Sequence, residues 1–544
     1  MTQYDYVIIG AGSAGCVLAH RLTEDANVRV LLLEAGGKAD SMLVRMPATA
    51  SDLFSVQGPC NWGFWTEPEP HLEGRRLWWP RGRGWGGSSA INAMVYIRGH
   101  ARDYDAWRQQ GLEGWSYAEV LPYFKRAETF ESGGNAYHGS TGPLHVAPAR
   151  SANPLFRAVI EAGREEGFPV TDDFNGVRQE GWGPYHLNIK DGERWSAAAA
   201  YLKPLLGVRR NLDARTEVHV TRILIEQGRA VGVEYAQGTR RELRQVRASR
   251  EVIVCAGAVQ TPQILQLSGI GDPLQLQEVG VPVVHSLKGV GRNLQDHFNV
   301  MVAYECPQPI TGYSVRRGLR KYLLALNYLL RKQGFGRHNF LESGAFLKSR
   351  PELDRPDLQL HVVLSIMRDH GKVSVDKDGF TLYVCHLRPE SRGEVRLRSR
   401  DPFDTPAIRA NYLAAEGDRR ALREGVRITR RVASRSALDG FRGAEYSPGP
   451  RVQTDEEIDA WARREGETLY HPVGTCRMGT ADDPLAVVDE TLKLRGLEGL
   501  RVVDASVMPT LIGGNTHAPT VMIAEKAADM IRGRNALPPE APSA

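Results

Sequence analysis

The first residues that point to chemistry lie near the N-terminus, where residues 10–15 have the sequence G-A-G-S-A-G. A G-x-G-x-x-G pattern between a strand and a helix is typical of a dinucleotide-binding turn. Gly10 permits the tight turn, Gly12 lets the backbone approach a pyrophosphate, and Gly15 lets the helix pack closely on the strand. The helix N-terminus then stabilises the bound anion. The motif alone does not separate FAD from NAD.

A carboxylate after the next apolar run supports this interpretation. Glu34 follows the run 28–33, at the position where dinucleotide-binding folds place an acidic residue on the ribose hydroxyls. A glycine-rich turn of some other α/β protein is the alternative, and the context favours the cofactor. The cofactor-binding residues predicted in this part of the chain are Gly10, Gly12, Ser13, Ala14, Gly15, Glu34 and Ala35.

Composition narrows the class of protein. The 544 residues carry 69 basic and 64 acidic side chains, a formal net charge of +5, and no basic tail, so we expect no nucleic-acid partner. None of the six cysteines forms a C-x-x-C pair, which favours reduced structural thiols over disulfides or a metal site. The N-terminus lacks the features of a signal peptide, and apolar runs fall short of the roughly 18 residues of a membrane span. We therefore predict a cytoplasmic protein.

Apolar periodicity predicts the elements that hold the glycine-rich turn. Continuous runs of apolar residues suit a parallel sheet that is buried on both faces, whereas two later runs suggest a different sheet. The predicted strands are 6–9, 28–33, 251–255 and 500–504, with 359–366 and 380–387 in the second sheet, and the predicted helices are 16–22, 261–267 and 520–531. Residues 54–99, rich in Gly, Trp and Pro, are expected to form a long functional loop.

Four further segments resemble the glucose–methanol–choline (GMC) oxidoreductase family. They are PRGRGWGGSSAINAM at 80–94, GAVQTPQIL continuing to SGIG at 257–271, HPVGTCRMG at 471–479, and VDAS with GNTHAPT within 503–520. With the glycine-rich turn, the resemblance covers nearly the whole chain. Within the family, the chain is most similar to choline dehydrogenases and bacterial aliphatic alcohol dehydrogenases.

The resemblance implies that the cofactor is FAD. Some family members bond the flavin covalently through a histidine just before the loop asparagine, but that position here is Ile91, so we expect non-covalent FAD. The second group of cofactor-binding residues that the resemblance implies is Gly86, Gly87, Ser88, Asn92, Ala93, Met94, Val95, Val220, Asp504 and Ala505.

The resemblance also implies which residues are catalytic. His471 is expected to be the base, because a neutral imidazole near pH 7 can take the hydroxyl proton while the carbon loses a hydride. His517 is expected to hold the substrate oxygen or share the proton, although the choline branch usually carries asparagine as its second catalytic residue. Tyr470 and Glu342 are candidates for the substrate wall, with core packing as the alternative.

The predicted reaction is the oxidation of a primary alcohol to the aldehyde by hydride transfer to flavin N5. Electrons would pass to a quinone or another acceptor. Three alternatives stay open: an alcohol oxidase that uses O₂ and makes H₂O₂, a choline dehydrogenase, and a flavin lyase without net oxidation. The sequence does not identify the alcohol, the acceptor or the oligomeric state.

The predicted fold combines α/β and α+β parts. A discontinuous Rossmann-like FAD-binding domain is expected at 1–155, 205–300 and 470–544, with an inserted substrate-binding domain on an antiparallel sheet at 156–204 and 301–469. Residues 316–332 are expected to form a basic amphipathic helix, with leucines at 319, 323, 326 and 330. Such a helix can lie on the inner face of a membrane, or it can cap the substrate domain, which is the commoner role.

Overall fold

The computed structural model describes residues 3–238, 240–369 and 372–542, without the side chains of Arg320, Lys321 and Ser374. Two large sheets organise the chain. In chain order their strands are β1 (Gln3–Ile9), β2 (Val30–Leu33), β3 (Gly181–Pro184), β4 (Leu212–Arg215), β5 (Val218–Glu226), β6 (Arg229–Gln237), β7 (Glu242–Val254), β8 (Phe298–Glu305), β9 (Ser343–Leu347), β10 (Leu358–Val363), β11 (Gly379–His386), β12 (Glu445–Ser447), β13 (Glu467–Thr468) and β14 (Leu500–Val502).

The longer helices pack against these sheets. In chain order they are α1 (Ser13–Leu22), α2 (Ala101–Gln109), α3 (Tyr117–Ala127), α4 (Pro154–Glu165), α5 (Gly257–Leu267), α6 (Leu319–Arg331), α7 (Glu416–Ala433), α8 (Asp455–Glu465) and α9 (His517–Ile531).

The first sheet has the order β4-β2-β1-β7-β6-β5, and β14 pairs with β7. The parallel part of this sheet consists of β4, β2, β1, β7 and β14, and β6 and β5 extend it in antiparallel fashion. The apolar runs of β1, β2 and β7 are buried because α1, α9 and other elements cover the sheet. The chain therefore returns at β14 to the sheet in which it began, as the sequence predicts.

The second sheet is antiparallel throughout, with the order β12-β8-β11-β10-β9-β3 and β13 paired with β8. Its two central strands, β10 and β11, cover the runs predicted at 359–366 and 380–387. Helices α4, α7 and α8 pack on one side of this sheet through a separate apolar core. The mixed fold class predicted from the sequence is confirmed, whereas the exact domain boundaries stay a prediction.

Four helices begin or end at other residues than expected. Helix α1 begins at Ser13, three residues before the predicted start. Helix α5 begins at Gly257, four residues before the predicted start, because the carboxylate of Asp504 accepts hydrogen bonds from the Gly257 N–H (2.8 Å) and the Thr261 hydroxyl (2.6 Å). Helix α9 begins at His517 rather than at 520. Helix α6 spans Leu319–Arg331, within the predicted 316–332. Among the described residues, no helix combines the length and apolarity needed to cross a bilayer.

Candidate active site

A cavity of about 1000 Å³ joins the two sheets. The ends of β1, β2 and β7 line it on one side, at the carboxyl edge where parallel sheets bind ligands. Residues of β10, including His361 and Val363, line the other side. The volume lies at the upper end of the roughly 300–1,000 Å³ typical of ligand pockets, so the cavity has room for a large ligand.

The glycine-rich turn is built for close backbone contact. Gly10 has a φ of 97°, and a Cβ there would lie 2.6 Å from the carbonyl oxygen of Cys255. A Cβ on Gly15 would lie 1.9 Å from the Gly10 oxygen. Helix α1 begins at Ser13 with no side-chain cap, so its first N–H groups are available to an anion in the cavity.

Glu34 is held rigidly at the cavity wall. Its carboxylate accepts hydrogen bonds from the backbone N–H groups of Ala11, Gly36 and Gly84, each at 2.8 Å. Burial raises the pKa of Glu34, and the three donors oppose that shift. Since each carboxylate oxygen offers two lone pairs, Glu34 retains acceptor capacity for the hydroxyls of a ribose.

The loop at 80–94 packs directly on this turn. A Cβ on Gly87, whose φ is 50°, would lie 2.7 Å from the Cα of Gly12. The buried guanidinium of Arg194 donates to the Asn92 side-chain oxygen at 2.9 Å and to the Ser89 carbonyl at 3.3 Å, and burial lowers the pKa of Arg194 to about 9. The loop is thereby fixed from both sides along the cavity.

His471 is buried at the opposite end of the cavity, after the positive-φ residue Tyr470 (φ 68°). Its N–H donates to the Asp296 carboxylate at 2.6 Å, and its ring nitrogens contact His297 (Nδ1–Nδ1, 2.9 Å) and the Asn515 side-chain nitrogen (Nε2–Nδ2, 3.2 Å). Burial lowers the pKa of His471 well below its ordinary value, and the charged guanidinium of Arg81 lowers it further. The imidazole is therefore neutral near pH 7 and can accept a proton.

Asp296 holds the turn that carries this base. Besides the His471 N–H, its carboxylate accepts hydrogen bonds from the hydroxyls of Tyr412 and Thr468. Burial raises the pKa of Asp296 to about 6, and these donors and Arg81 oppose the shift. The Thr468 hydroxyl in turn accepts from the N–H of Tyr470 at 2.8 Å, so the backbone around His471 is fixed.

His517 also lines the cavity, but its neighbours differ from those of His471. Its Nδ1 lies 2.9 Å from the Ser13 hydroxyl, in the dinucleotide turn. Its Nε2 is buried and has no hydrogen-bond partner among the described residues. Burial lowers the pKa of His517 to about 4, so the ring is neutral. The structure thus places Asn515, not the predicted His517, against the ring of His471.

The remaining predicted residues divide into those that line the cavity and those that do not. Glu342 lies outside the lining: it is buried, it pairs with His338 (2.5 Å), and it accepts from the Ser151 N–H at 2.6 Å, which favours the packing interpretation. Gly15 and Gly86 also lie outside the lining and permit close packing. The predicted residues that do line the cavity are Gly10, Gly12, Ser13, Ala14, Glu34, Ala35, Gly87, Ser88, Asn92, Ala93, Met94, Val95, Val220, Tyr470, His471, Asp504, Ala505 and His517.

Sequence reasoning missed several side chains that meet at the base. Asn515 lies in the segment GNTHAPT, two residues before His517, so the sequence offers its amide as a candidate. Asp296 and His297 lie just before strand β8, and His361 lies within β10. Nothing in the local sequence pattern distinguishes these three residues.

The residues present fit a flavin dinucleotide. The starts of α1 and α9, both without side-chain caps, and the Glu34 carboxylate lie along one wall of the cavity. These groups suit a pyrophosphate, a polar ring edge and a ribose, respectively. The unpartnered Nε2 of His517 is a further polar atom that a ligand can satisfy.

Comparison with known proteins agrees with the interpretation of the cavity as a flavin dinucleotide site. Two profiles of the GMC oxidoreductase family match residues 4–299 and 389–524. The chain is 48% identical over 544 residues to mitochondrial choline dehydrogenase of Mus musculus, covering 98% of this chain and 90% of the relative. It is also 48% identical over 541 residues to the oxygen-dependent choline dehydrogenase of Chromohalobacter salexigens, covering 99% and 96%.

Solved structures give the same picture. Pyridoxine 4-oxidase from Mesorbium loti superposes with a TM-score of 0.89 at 33% identity, covering 98% of this chain and 100% of the other. A formate oxidase superposes with a TM-score of 0.91 at 26% identity, covering 98% of each chain.

Proposed function

Because this chain belongs to the GMC oxidoreductase family, which is FAD-dependent and acts on CH–OH donors, we propose that it oxidises a primary alcohol to the aldehyde. The observation that carries the proposal is a buried, neutral His471 at the far end of a cavity whose other end fits the dinucleotide. When bound, FAD supplies the two-electron oxidant that accepts the hydride from the alcohol carbon.

His471 and Asn515 are the residues proposed to act on the alcohol. The Nε2 of His471 takes the hydroxyl proton, because the uncharged imidazole has a lone pair that can accept a proton at physiological pH. The amide of Asn515, which lies 3.2 Å from that nitrogen, is placed to donate a hydrogen bond to the substrate oxygen. His471 is buried, whereas Asn515 is partly exposed and lines the same cavity.

A panel of alcohols tests the proposal. Purified, yellow holoenzyme is mixed anaerobically with aliphatic, aromatic and cationic alcohols, and flavin absorption is followed. Bleaching by an alcohol excludes a lyase or a binding protein without catalysis. His471→Ala is expected to slow the bleaching by roughly two to four orders of magnitude. A near-normal rate in that variant, or a protein that takes up no flavin, would refute the proposal.

Choline oxidation is a second candidate for a specific reason. The carboxyl-bearing residue Glu467 and the aromatic residues Tyr470 and Tyr383 line the cavity near His471, and such groups suit a quaternary ammonium. The relatives described above are choline dehydrogenases by name. Glu467→Gln is expected to weaken choline turnover while sparing a neutral alcohol if choline is the substrate. Equal effects on both would disfavour it.

The electron acceptor separates a dehydrogenase from an oxidase. We propose a quinone or another carrier as the acceptor, with O₂ as the alternative. Peroxide that forms at the rate of alcohol turnover in air would identify an oxidase. Slow peroxide formation together with fast turnover on an artificial quinone would support the dehydrogenase.

We further propose that FAD is bound without a covalent link. Ile91, which lines the cavity in the loop beside Asn92, has no nucleophilic atom. Acid precipitation of the holoenzyme should therefore release the flavin into the supernatant. A yellow pellet would contradict this proposal.

Helix α6 is proposed to contact a membrane surface. Leu319, Leu323, Leu326 and Leu330 repeat along one face and are 81%, 64%, 52% and 73% exposed. Isolated exposed leucines are ordinary, but a contiguous apolar face marks an interaction site.

The charges around this face suggest what covers it. Arg317 and Arg331, next to the helix and in its last turn, are exposed cations, while the predicted contributions of Arg320 and Lys321 lie outside the described side chains. Leucines with flanking cations complement an anionic phospholipid surface. The segments before and after α6 line the cavity at Arg316 and Phe340, so its mouth would face the lipid.

A further inference from the structure

A second histidine lies directly behind the proposed base. His297 precedes β8, is fully buried, and places its Nδ1 2.9 Å from the Nδ1 of His471. The other ring nitrogen, Nε2, lies 3.3 Å from the carbonyl oxygen of Leu387. The two imidazole planes are nearly perpendicular, at 86°, so the contact is made through the nitrogen atoms and not by ring stacking.

The chemistry of these contacts fixes where each proton resides. A carbonyl oxygen only accepts hydrogen bonds, so Nε2 of His297 carries a proton. Burial lowers the pKa of His297 to about 3, so the ring is neutral and its Nδ1 has a free lone pair. That lone pair requires a proton on Nδ1 of His471.

The remaining nitrogen of the base is therefore unprotonated. Since His471 is neutral and Nδ1 holds its proton, Nε2 presents a lone pair beside Asn515. In the resting site the Asn515 amide donates to this lone pair. Once that amide turns to the substrate oxygen, an imidazole without a partner behind the ring can place its proton on either nitrogen. The tautomer with a proton on Nε2 could not take a proton from an alcohol there.

We propose that His297 is a positioning residue that fixes the tautomer and orientation of His471, so that Nε2 of His471 is the proton acceptor. The inference rests on the proposed role of His471 as the base. It assigns a task to a residue that lies behind the base, with the His471 ring between it and Asn515. His297 also stabilises the protonated base, because a hydrogen bond from the imidazolium of His471 is stronger than one from the neutral ring.

Other groups around His471 also affect how readily its ring is protonated. The Arg81 guanidinium disfavours an imidazolium, His361 is a neutral neighbour whose pKa burial lowers to about 3, and Asp296 accepts the backbone N–H of His471. Asn515 faces Nε2 and carries no charge. A variant at 297 leaves all of these in place.

Three substitutions at this position separate positioning from packing. His297→Ala removes the acceptor. His297→Asn keeps a neutral acceptor oxygen near the position of Nδ1, and His297→Asp provides an acceptor that is negatively charged. His186→Asn is a matched control, since His186 is a buried histidine that does not belong to the cavity lining. Each holoenzyme is checked for its FAD content and melting temperature before kinetic measurement.

The readout is the pH profile of anaerobic flavin reduction. The rate falls at low pH as the base becomes protonated, so the acid limb reports the pKa of His471. His297→Asp should move this limb to higher pH, because a carboxylate stabilises the imidazolium. His297→Ala should move it to lower pH and reduce the plateau by roughly tenfold to hundredfold, and His297→Asn should recover most of that loss.

A second measurement observes the tautomer directly. In holoenzyme labelled with ¹⁵N-histidine, the signals that vanish in His471→Ala belong to the base, and they should show the proton on Nδ1. In His297→Ala, where only the Asn515 amide still favours the proton on Nδ1, the population with the proton on Nε2 should rise. This readout does not depend on turnover.

The outcomes distinguish failure of the proposed role of His297 from failure of the proposed function on which it rests. If His471→Ala reduces flavin normally, the proposed function fails. If His471→Ala is slow but the three variants at 297 share one acid limb, or His297→Ala matches the parent enzyme, the positioning role of His297 is refuted. Opposite shifts for His297→Asp and His297→Ala establish it.

Discussion

Asn515 and His517 are two residues apart and both line the cavity, yet their side chains contact different groups. Asn515 precedes helix α9 and contacts Nε2 of His471, whereas His517 is the first residue of the helix and contacts the Ser13 hydroxyl. The start of the helix changes the backbone direction between them. These contacts support the proposed role of Asn515 at the reacting oxygen, and they predict a role beside the cofactor for His517.

Substitution of each residue tests this division. Asn515→Ala is expected to slow anaerobic flavin reduction by roughly a hundredfold, because it removes a donor at the reacting oxygen. His517→Ala should weaken FAD retention and leave the reduction rate of the FAD-saturated enzyme nearly unchanged. Stopped-flow absorbance and the flavin-to-protein ratio after gel filtration measure the two effects. If saturated His517→Ala is as slow as Asn515→Ala, the catalytic role predicted for His517 from the sequence is supported and the division proposed here is refuted.

At the scale of elements, a buried ionic cluster ties α9 to α1 and α3. The Glu525 side chain of α9 is fully buried. Its carboxylate accepts from Arg21 of α1 at 2.9 and 3.0 Å, from Arg126 of α3 at 2.9 Å and from the Tyr201 hydroxyl at 2.9 Å. Because α1 and α9 both begin at the cavity, this cluster fixes the relative position of two helix starts that fit the cofactor.

Removal of that carboxylate should therefore weaken both the fold and the cofactor site. Glu525→Ala leaves two arginines without their shared partner, which typically costs about 3–5 kcal/mol in the free energy of unfolding. We expect a lower melting temperature and a lower FAD content. Glu226→Ala, which breaks the exposed pair with Arg247, is the control and should change neither appreciably. An unchanged melting temperature in Glu525→Ala would show that the cluster is not a structural tie.

The same scale explains what the sequence could and could not predict. The turn at 10–15 was predictable because its glycines, strand and helix are adjacent in the chain. The start of α5 was not, since Asp504 caps it from 247 residues away. His297 reaches His471 across 174 residues, and the pairing of β8 with β13, with the bridge between Gln295 and Val473, brings the two together. Local patterns do not encode contacts of that range.

At the scale of the whole molecule, the candidate active site lies between the two large sheets. The first sheet supplies the dinucleotide end, and the second sheet supplies His361 and the strands next to His297. The segments on either side of α6 line the cavity, and the helix itself exposes leucines. A membrane on that face would give lipophilic alcohols or a quinone a short path to the base.

Vesicle flotation tests this orientation. Holoenzyme should float with vesicles that contain phosphatidylglycerol, bind vesicles of pure phosphatidylcholine more weakly, and be released partly by salt, since the cations contribute through screened attraction. Leu323→Ser with Leu330→Ser should reduce binding by at least about tenfold per leucine, because each loses apolar burial in the lipid. Leu243→Ser, an exposed leucine on β7, is the matched control and should bind like the parent. If the double variant floats as well as the parent at low salt, α6 is not the contact surface and the mouth of the cavity need not face lipid.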